Sequence, residues 1–132
     1  MSVEHLNPPG MYKSPVFSQG IILPANARIL LIGGQNGVSA KGEVVAKGDV
    51  VKQTEQALAN LQQVLVAGGA RLEDLVKVTI IMQQDIDLNA AFGAWMAVWG
   101  KRTNPPTVSA FRVPNLSNPD FLIEIEAQAV LP

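Results

Sequence analysis

The sequence predicts an α+β fold in which two helices cover one face of a mixed sheet, in the order ββαβαββ. Three observations carry this. Residues 50–67 repeat their apolar side chains at helical spacing, and so do residues 87–99. Between and after them, three segments alternate with a period of two. Ahead of both helices, Ile29-Leu30-Leu31-Ile32 is apolar on both faces, yet two helices can cover only one face of such a sheet. The other face therefore calls for a partner, most simply further copies of the chain.

In chain order, the residues through Pro8-Pro9-Gly10 read as an irregular lead-in. A first strand is expected within Pro15 to Ile22. It is followed by turn residues Pro24-Ala25-Asn26 and a second strand, Arg28 to Ile32, stopped by Gly33-Gly34. Their closeness suggests an antiparallel opening pair. The first helix spans Val50 to Ala67. Val51, Thr54, Leu58, Leu61 and Leu65 form its apolar stripe, and Lys52, Gln53, Glu55, Gln56, Gln62 and Gln63 fill the other face. Asp49 stands where an N-cap acceptor belongs and Gly68-Gly69 where a helix stops.

Val76 to Met82 alternates as a strand. A second helix runs from about Asp87 to Trp99, with Leu88, Phe92, Trp95, Met96 and Trp99 as its stripe and Gly100 closing it. The last strands are Thr107 to Val113 and Phe121 to Leu131, joined by a loop rich in Pro, Asn and Ser. In the final strand Ile123, Ile125, Ala127 and Ala129 alternate with Glu124, Glu126 and Gln128. Neighbouring carboxylates on such a face lie roughly 7 Å apart. That stripe is either a solvated surface or the floor of a polar cleft.

Composition narrows the function. The 132 residues suffice for a single domain (1–132) with its own core. Hydrophobic residues make up 48% and charged residues 16%, which favours compact folding over disorder. The net charge is −1 and no basic patch is visible, so nucleic acid is an unlikely partner. Without cysteine there is no disulfide, thiolate metal site or thiol nucleophile. No apolar run reaches the length of a membrane span and no signal-peptide pattern opens the chain, so a cytoplasmic protein is expected. The single histidine, His5, falls in the lead-in, where an ordinary terminal residue outweighs a catalytic one. A Ser/His/Asp hydrolase and a histidine metal site are correspondingly hard to build, and no metal or cofactor is expected. Gly33-Gly34-Gln35-Asn36-Gly37 lacks the Lys-Ser/Thr of a phosphate loop.

Several segments, in order, resemble the RidA (YjgF/YER057c/UK114) family of reactive-intermediate deaminases. They are Phe17-Ser18-Gln19-Gly20, Gly33-Gly34-Gln35, Gly48-Asp49 with Gln53-Thr54 and Ala57-Leu58 to Asn60-Leu61, Gly68-Gly69-Ala70, the strand around Val76 to Ile81, and Ile123-Glu124-Ile125-Glu126-Ala127. The resemblance implies a chorismate-mutase-like fold, a homotrimer with sheets turned inward, and a cleft for a small-molecule ligand at each subunit interface. The implied activity is cofactor-free hydrolysis of an imine or enamine to a carbonyl compound and ammonia.

Carried over residue by residue, the resemblance makes Glu124 the catalytic carboxylate, which orders a water or a ligand proton. Gly34 becomes a backbone amide donor, and Phe17 and Phe92 become cleft walls. Phe17 stands where relatives usually have tyrosine, and Phe92 where many have a polar residue, so this cleft is less polar. The plain alternative for Phe92, Trp95 and Trp99 is helix core.

The segment Pro105-Pro106-Thr107-Val108-Ser109 departs from the family pattern. Relatives that deaminate imines have an arginine there for the substrate carboxylate, and here Thr107 (or Val108, in the other register) takes its place. Thr107 and Ser109 share a strand face and could offer hydroxyls to a ligand or satisfy nearby backbone. Arg102 and Arg112 are the candidate substitutes for the missing cation. Two readings stay open: an altered or weak imine deaminase, and a trimer that binds a small metabolite without turnover. An endoribonuclease label attaches to some relatives, but one histidine and scattered cations give it little support.

Overall fold

The computed structural model describes residues 3–132. Its elements are β1 (Glu4–Leu6), β2 (Gly20–Ile22), β3 (Ile29–Gln35), α1 (Val50–Ala67), a 3-10 turn (Leu72–Asp74), β4 (Leu75–Gln83), α2 (Leu88–Trp99), β5 (Thr107–Val113) and β6 (Ile123–Val130). The main sheet has the order β3-β6-β4-β5. Only β4 and β5 are parallel, because α2 carries the chain from one to the other; β6 runs antiparallel to both its neighbours. Both helices pack on one face of this mixed sheet, as the periodicities predict.

Local chemistry explains the helix limits. The Asp49 carboxylate accepts from the Lys52 amide at 3.0 Å and caps α1. Asp87 caps α2 by accepting from Asn89 and Ala90. Gly100 ends α2 with φ of 65°, a conformation that favours glycine. The core lies between α1, α2 and the sheet, where Leu58, Leu61, Leu65, Trp99, Ile123 and Ile125 are buried. Trp95 and Trp99 stack at 5.6 Å and belong to this core, as the helix-stripe reading has it. Phe92, on the same stripe, does not: it is 43% exposed.

Three expectations are corrected and one is narrowed. The lead-in is not wholly irregular, since Glu4–Leu6 pairs antiparallel with Gly20–Ile22. His5 is held there, its Nδ1 lying 2.9 Å from the Ser18 hydroxyl. Pro15 to Ile22 forms a strand only from Gly20 onward, because Ser18 is tied elsewhere: its amide donates to Pro106 O at 3.0 Å and its hydroxyl to Pro105 O. The two opening strands do not pair with each other. β2 takes β1, and β3 takes the edge beside β6, so the main sheet has four strands.

Gln53, placed on the polar side of α1, is fully buried. Its amide nitrogen donates to Asp120 O and Ala46 O, and its amide oxygen accepts from the Leu122 amide. The side chain thus binds the helix to the loop that feeds β6, which is how a buried amide escapes its desolvation cost.

Candidate functional site

The face of the sheet away from the helices carries the polar stripe. Strand register arranges it in rows. Leu31, Gln128, Lys77 and Thr107 form the first, and Glu126, Thr79 and Ser109 the second. Glu124, Ile81 and Phe111 form the third. Leu31 is 70% exposed and Phe111 55%, so the face is open and partly apolar. A shallow hollow of about 280 Å³ lies over the first two rows, bordered by Leu31, Gly33, Lys77, Thr79, Glu126 and Gln128.

Glu124 has the most constructed surroundings. Between Ile32 and Gln35, β3 gains one residue over β6, a bulge at Gly33-Gly34. The bulge brings Gly34 onto the Glu124 side chain: a Cβ at Gly34 would lie 2.6 Å from the carboxyl carbon and from Oε2. A side chain at Gly34 would push the Glu124 carboxylate out of this position. From the other side the Asn36 amide donates to Glu124 Oε1 at 3.2 Å and to Ile123 O at 3.1 Å. Asn60 on α1 in turn donates to Asn36 O and Val38 O, and its own Oδ1 accepts from Gln56. A half-buried carboxylate is therefore held in one orientation by a chain of amides that reaches into α1.

Within one chain the residues singled out from the sequence fall into three places. Gly34 and Glu124 touch. Thr107 and Ser109 lie on the same face but in other rows, and four residues along and two strands across put Thr107 about 16 Å from Glu124. The Thr107 hydroxyl donates to Val76 O at 2.9 Å, at a second bulge where β4 gains a residue on β6. Ser109 is exposed. Phe17 and Phe92 lie on the helix side of the sheet, where with Val108, Trp95 and Ile123 they line an apolar pit of about 80 Å³. The Ser18 hydrogen bonds hold Phe17 beside Pro105 and Pro106, at the entrance to β5.

Neither candidate arginine is free. Arg102 Nε lies 2.7 Å from Glu73, and its Nη1 donates to Val98 O and Trp99 O at the end of α2. That guanidinium hydrogen bond is the main reason the Glu73 carboxyl titrates below its ordinary range. Arg112 donates to Gln84 O and Ile86 O on the helix side. The cation that sequence reasoning missed is Lys77, exposed on the open face and paired in register with Thr107. Asn36 was also missed. Its only signal was an amide next to the Gly33-Gly34 bulge, and its partner stands 88 residues away.

Among the described residues no three His, Cys, Asp or Glu side chains converge as a metal site would require. Among the same residues, no helix is long and apolar enough to cross a membrane.

Comparisons with known proteins agree with this architecture. Residues 12–131 match the family model described as Endoribonuclease L-PSP. A RutC family protein of Pyrococcus horikoshii is 35% identical over 100 residues, covering 76% of this chain and 77% of that protein. The human 2-iminobutanoate/2-iminopropanoate deaminase is 28% identical over 114 residues, covering 86% and 79%. Among solved structures, a Rid-family protein of unknown function from Yersinia pestis superposes with a TM-score of 0.87 and 36% identity, covering 99% of this chain and all of that one. With nearly its whole length matched and its two-helix mixed sheet reproduced, the chain belongs to the endoribonuclease L-PSP family, the RidA/YjgF family its sequence resembles.

Proposed function

We propose that the protein is a cofactor-free imine or enamine hydrolase of altered specificity, working as a cytoplasmic homotrimer in the repair of reactive metabolites. The observation that carries this is the Glu124 carboxylate, braced by Asn36 and pressed against Gly34 on the uncovered sheet face. Glu124 takes a proton from water as the water oxygen adds to the C=N carbon and passes it to the imine nitrogen, giving a neutral carbinolamine. Glu124 then takes the carbinolamine hydroxyl proton and hands it to nitrogen as the C–N bond breaks, so that a carbonyl compound and ammonia leave. A positioned carboxylate suffices for such proton transfers.

The site is completed across a subunit interface. Phe17 and Phe92 lie on the helix side of the sheet and Glu124 with Gly34 on its open face, about 16 Å from Thr107, so a second copy is called on to bring the two sets together. The exposed Leu31 and Phe111 support burial of this face. Sedimentation at micromolar concentration is expected to report three copies, and Leu31→Glu to yield smaller species. A stable, well-folded monomer would contradict the trimer.

Thr107 sets the specificity. Its hydroxyl is committed to Val76 O and it cannot make the paired N–H bonds that a carboxylate prefers. Imines that carry a carboxylate are therefore hydrolysed slowly. Thr107→Arg is expected to raise the rate of 2-oxo acid release from freshly generated 2-imino acids by about tenfold, the worth of one charge-assisted contact. Wild-type rates equal to those of an arginine-bearing relative would overturn this and point to Lys77 as the carboxylate partner.

A second reading, a trimer that binds a small metabolite without turnover, rests on the same observation at Thr107. The endoribonuclease name of the family has less behind it in this chain: its one histidine, His5, is held against the Ser18 hydroxyl, and in the open hollow it borders, Arg71 and Arg102 are already paired with Glu73 and Asp74.

A further inference from the structure

The apolar pit behind Phe17 and Phe92 is not accounted for by ordinary packing. Cores rarely leave voids larger than a water molecule, and this one measures about 80 Å³. All its lining residues are apolar except Thr54, whose hydroxyl donates to Val50 O at 2.7 Å and so offers the pit no donor. Such a space stays dry and gains by taking apolar matter. It is also reachable. Leu88 and Phe92, in the opening turns of α2, line the pit and are 44% and 43% exposed.

The walls are braced from both sides. Arg112 holds the entry to α2 through Gln84 O and Ile86 O. Ser18 ties the Phe17 segment to Pro105 and Pro106, just ahead of the lining residue Val108. A pocket built in advance loses little order on binding.

We propose that this pit is a binding subsite for a short, branched alkyl group of about three or four carbons. Its volume is about half that of an apolar cavity of roughly 150 Å³ that admits benzene, so it takes a branched alkyl group in preference to an aromatic ring. Each buried methylene is worth about fourfold in affinity. Assigning that alkyl group to the imine substrate rests on the function proposed above; the pit as a binding site does not.

The test uses the full-length protein in its native assembly, with xenon gas and 2-methylpropan-1-ol as probes. The chain has two tryptophans. Trp95 lines the pit and stacks on Trp99, so indole fluorescence reports its filling. Quenching by xenon is expected to saturate, and 2-methylpropan-1-ol to compete with it while glycerol does not. Ala91→Leu fills the pit directly, and Val108→Ile does so more gently should the first disturb folding. Either is expected to weaken both probes at least tenfold. Quenching that rises without saturation and is equal in a folded pit-filling variant would overturn the site. Absence of probe binding in the assembled wild type would overturn it too, and would mean that a neighbouring copy fills the space. Because no turnover is read, a protein inactive on imines leaves this result unaffected.

Discussion

Replacing Gln53 by alanine is expected to destabilise the fold by about 3 kcal/mol. The side chain is fully buried and makes three hydrogen bonds, to Ala46 O, Asp120 O and the Leu122 amide. Truncation leaves the Leu122 N–H and two carbonyls without that partner and opens a void. The surroundings have little room to collapse inward. The backbone at Gly37 already packs against Gln53, where an added Cβ would lie 2.8 Å from its Cα. Leu122 directly precedes β6, so the lost hydrogen bond also loosens the strand that presents Glu124. Urea denaturation followed by circular dichroism measures the change. A loss below about 0.5 kcal/mol, the range of a bland surface substitution, would show that the amide is replaceable by water and that it does not hold the loop.

Glu124→Gln is expected to lower turnover by 10²-fold or more, the range of a general acid–base contribution. The substitution keeps the shape and one carbonyl oxygen facing the Asn36 amide. The bracing of the side chain therefore survives while its capacity to take a proton does not. Glu124 is half-buried at the edge of an open face and has no ion-pair partner among the described residues. Stability and assembly should accordingly change by less than about 0.5 kcal/mol. If the variant unfolds, Glu124 is a structural partner of Asn36 and Gly34 and has no role as a proton carrier.

How much of this was legible in the sequence depended on how local each signal was. The limits of α1 and β5 match the expectation because each is set by its own residues: Asp49 and Gly68 around a long apolar repeat, and Pro106 before an alternating run. The alternation of β6 correctly divided Ile123, Ile125 and Ala127 from Glu124, Glu126 and Gln128.

What failed was non-local. The three residues of β1 are too short for a period, and their pairing with Gly20–Ile22 is decided by the tie of Ser18 to Pro105 and Pro106. Gln53 looks like a surface residue until its partners at Asp120 and Leu122, 67 and 69 residues away, are known. The Gly34–Glu124 contact needs a bulge, and an extra residue in β3 is invisible until β6 is set beside it. Strand parity also limited the site. It placed Thr107 and Ser109 on one strand face but could not say that Phe17 and Phe92 would line the helix side while Glu124 faced away.

The most direct test of the proposed chemistry is the release of ammonia and carbonyl compound from freshly generated imines. Uncharged alkyl imines and 2-imino acids would be compared, using wild type and Glu124→Gln at matched protein concentration against a no-protein control. The account predicts equal amounts of the two products, faster release from the uncharged alkyl imines, and loss of that acceleration in Glu124→Gln while sedimentation still shows the wild-type assembly. Wild-type rates indistinguishable from the control on every imine, or undiminished rates in Glu124→Gln, would contradict it.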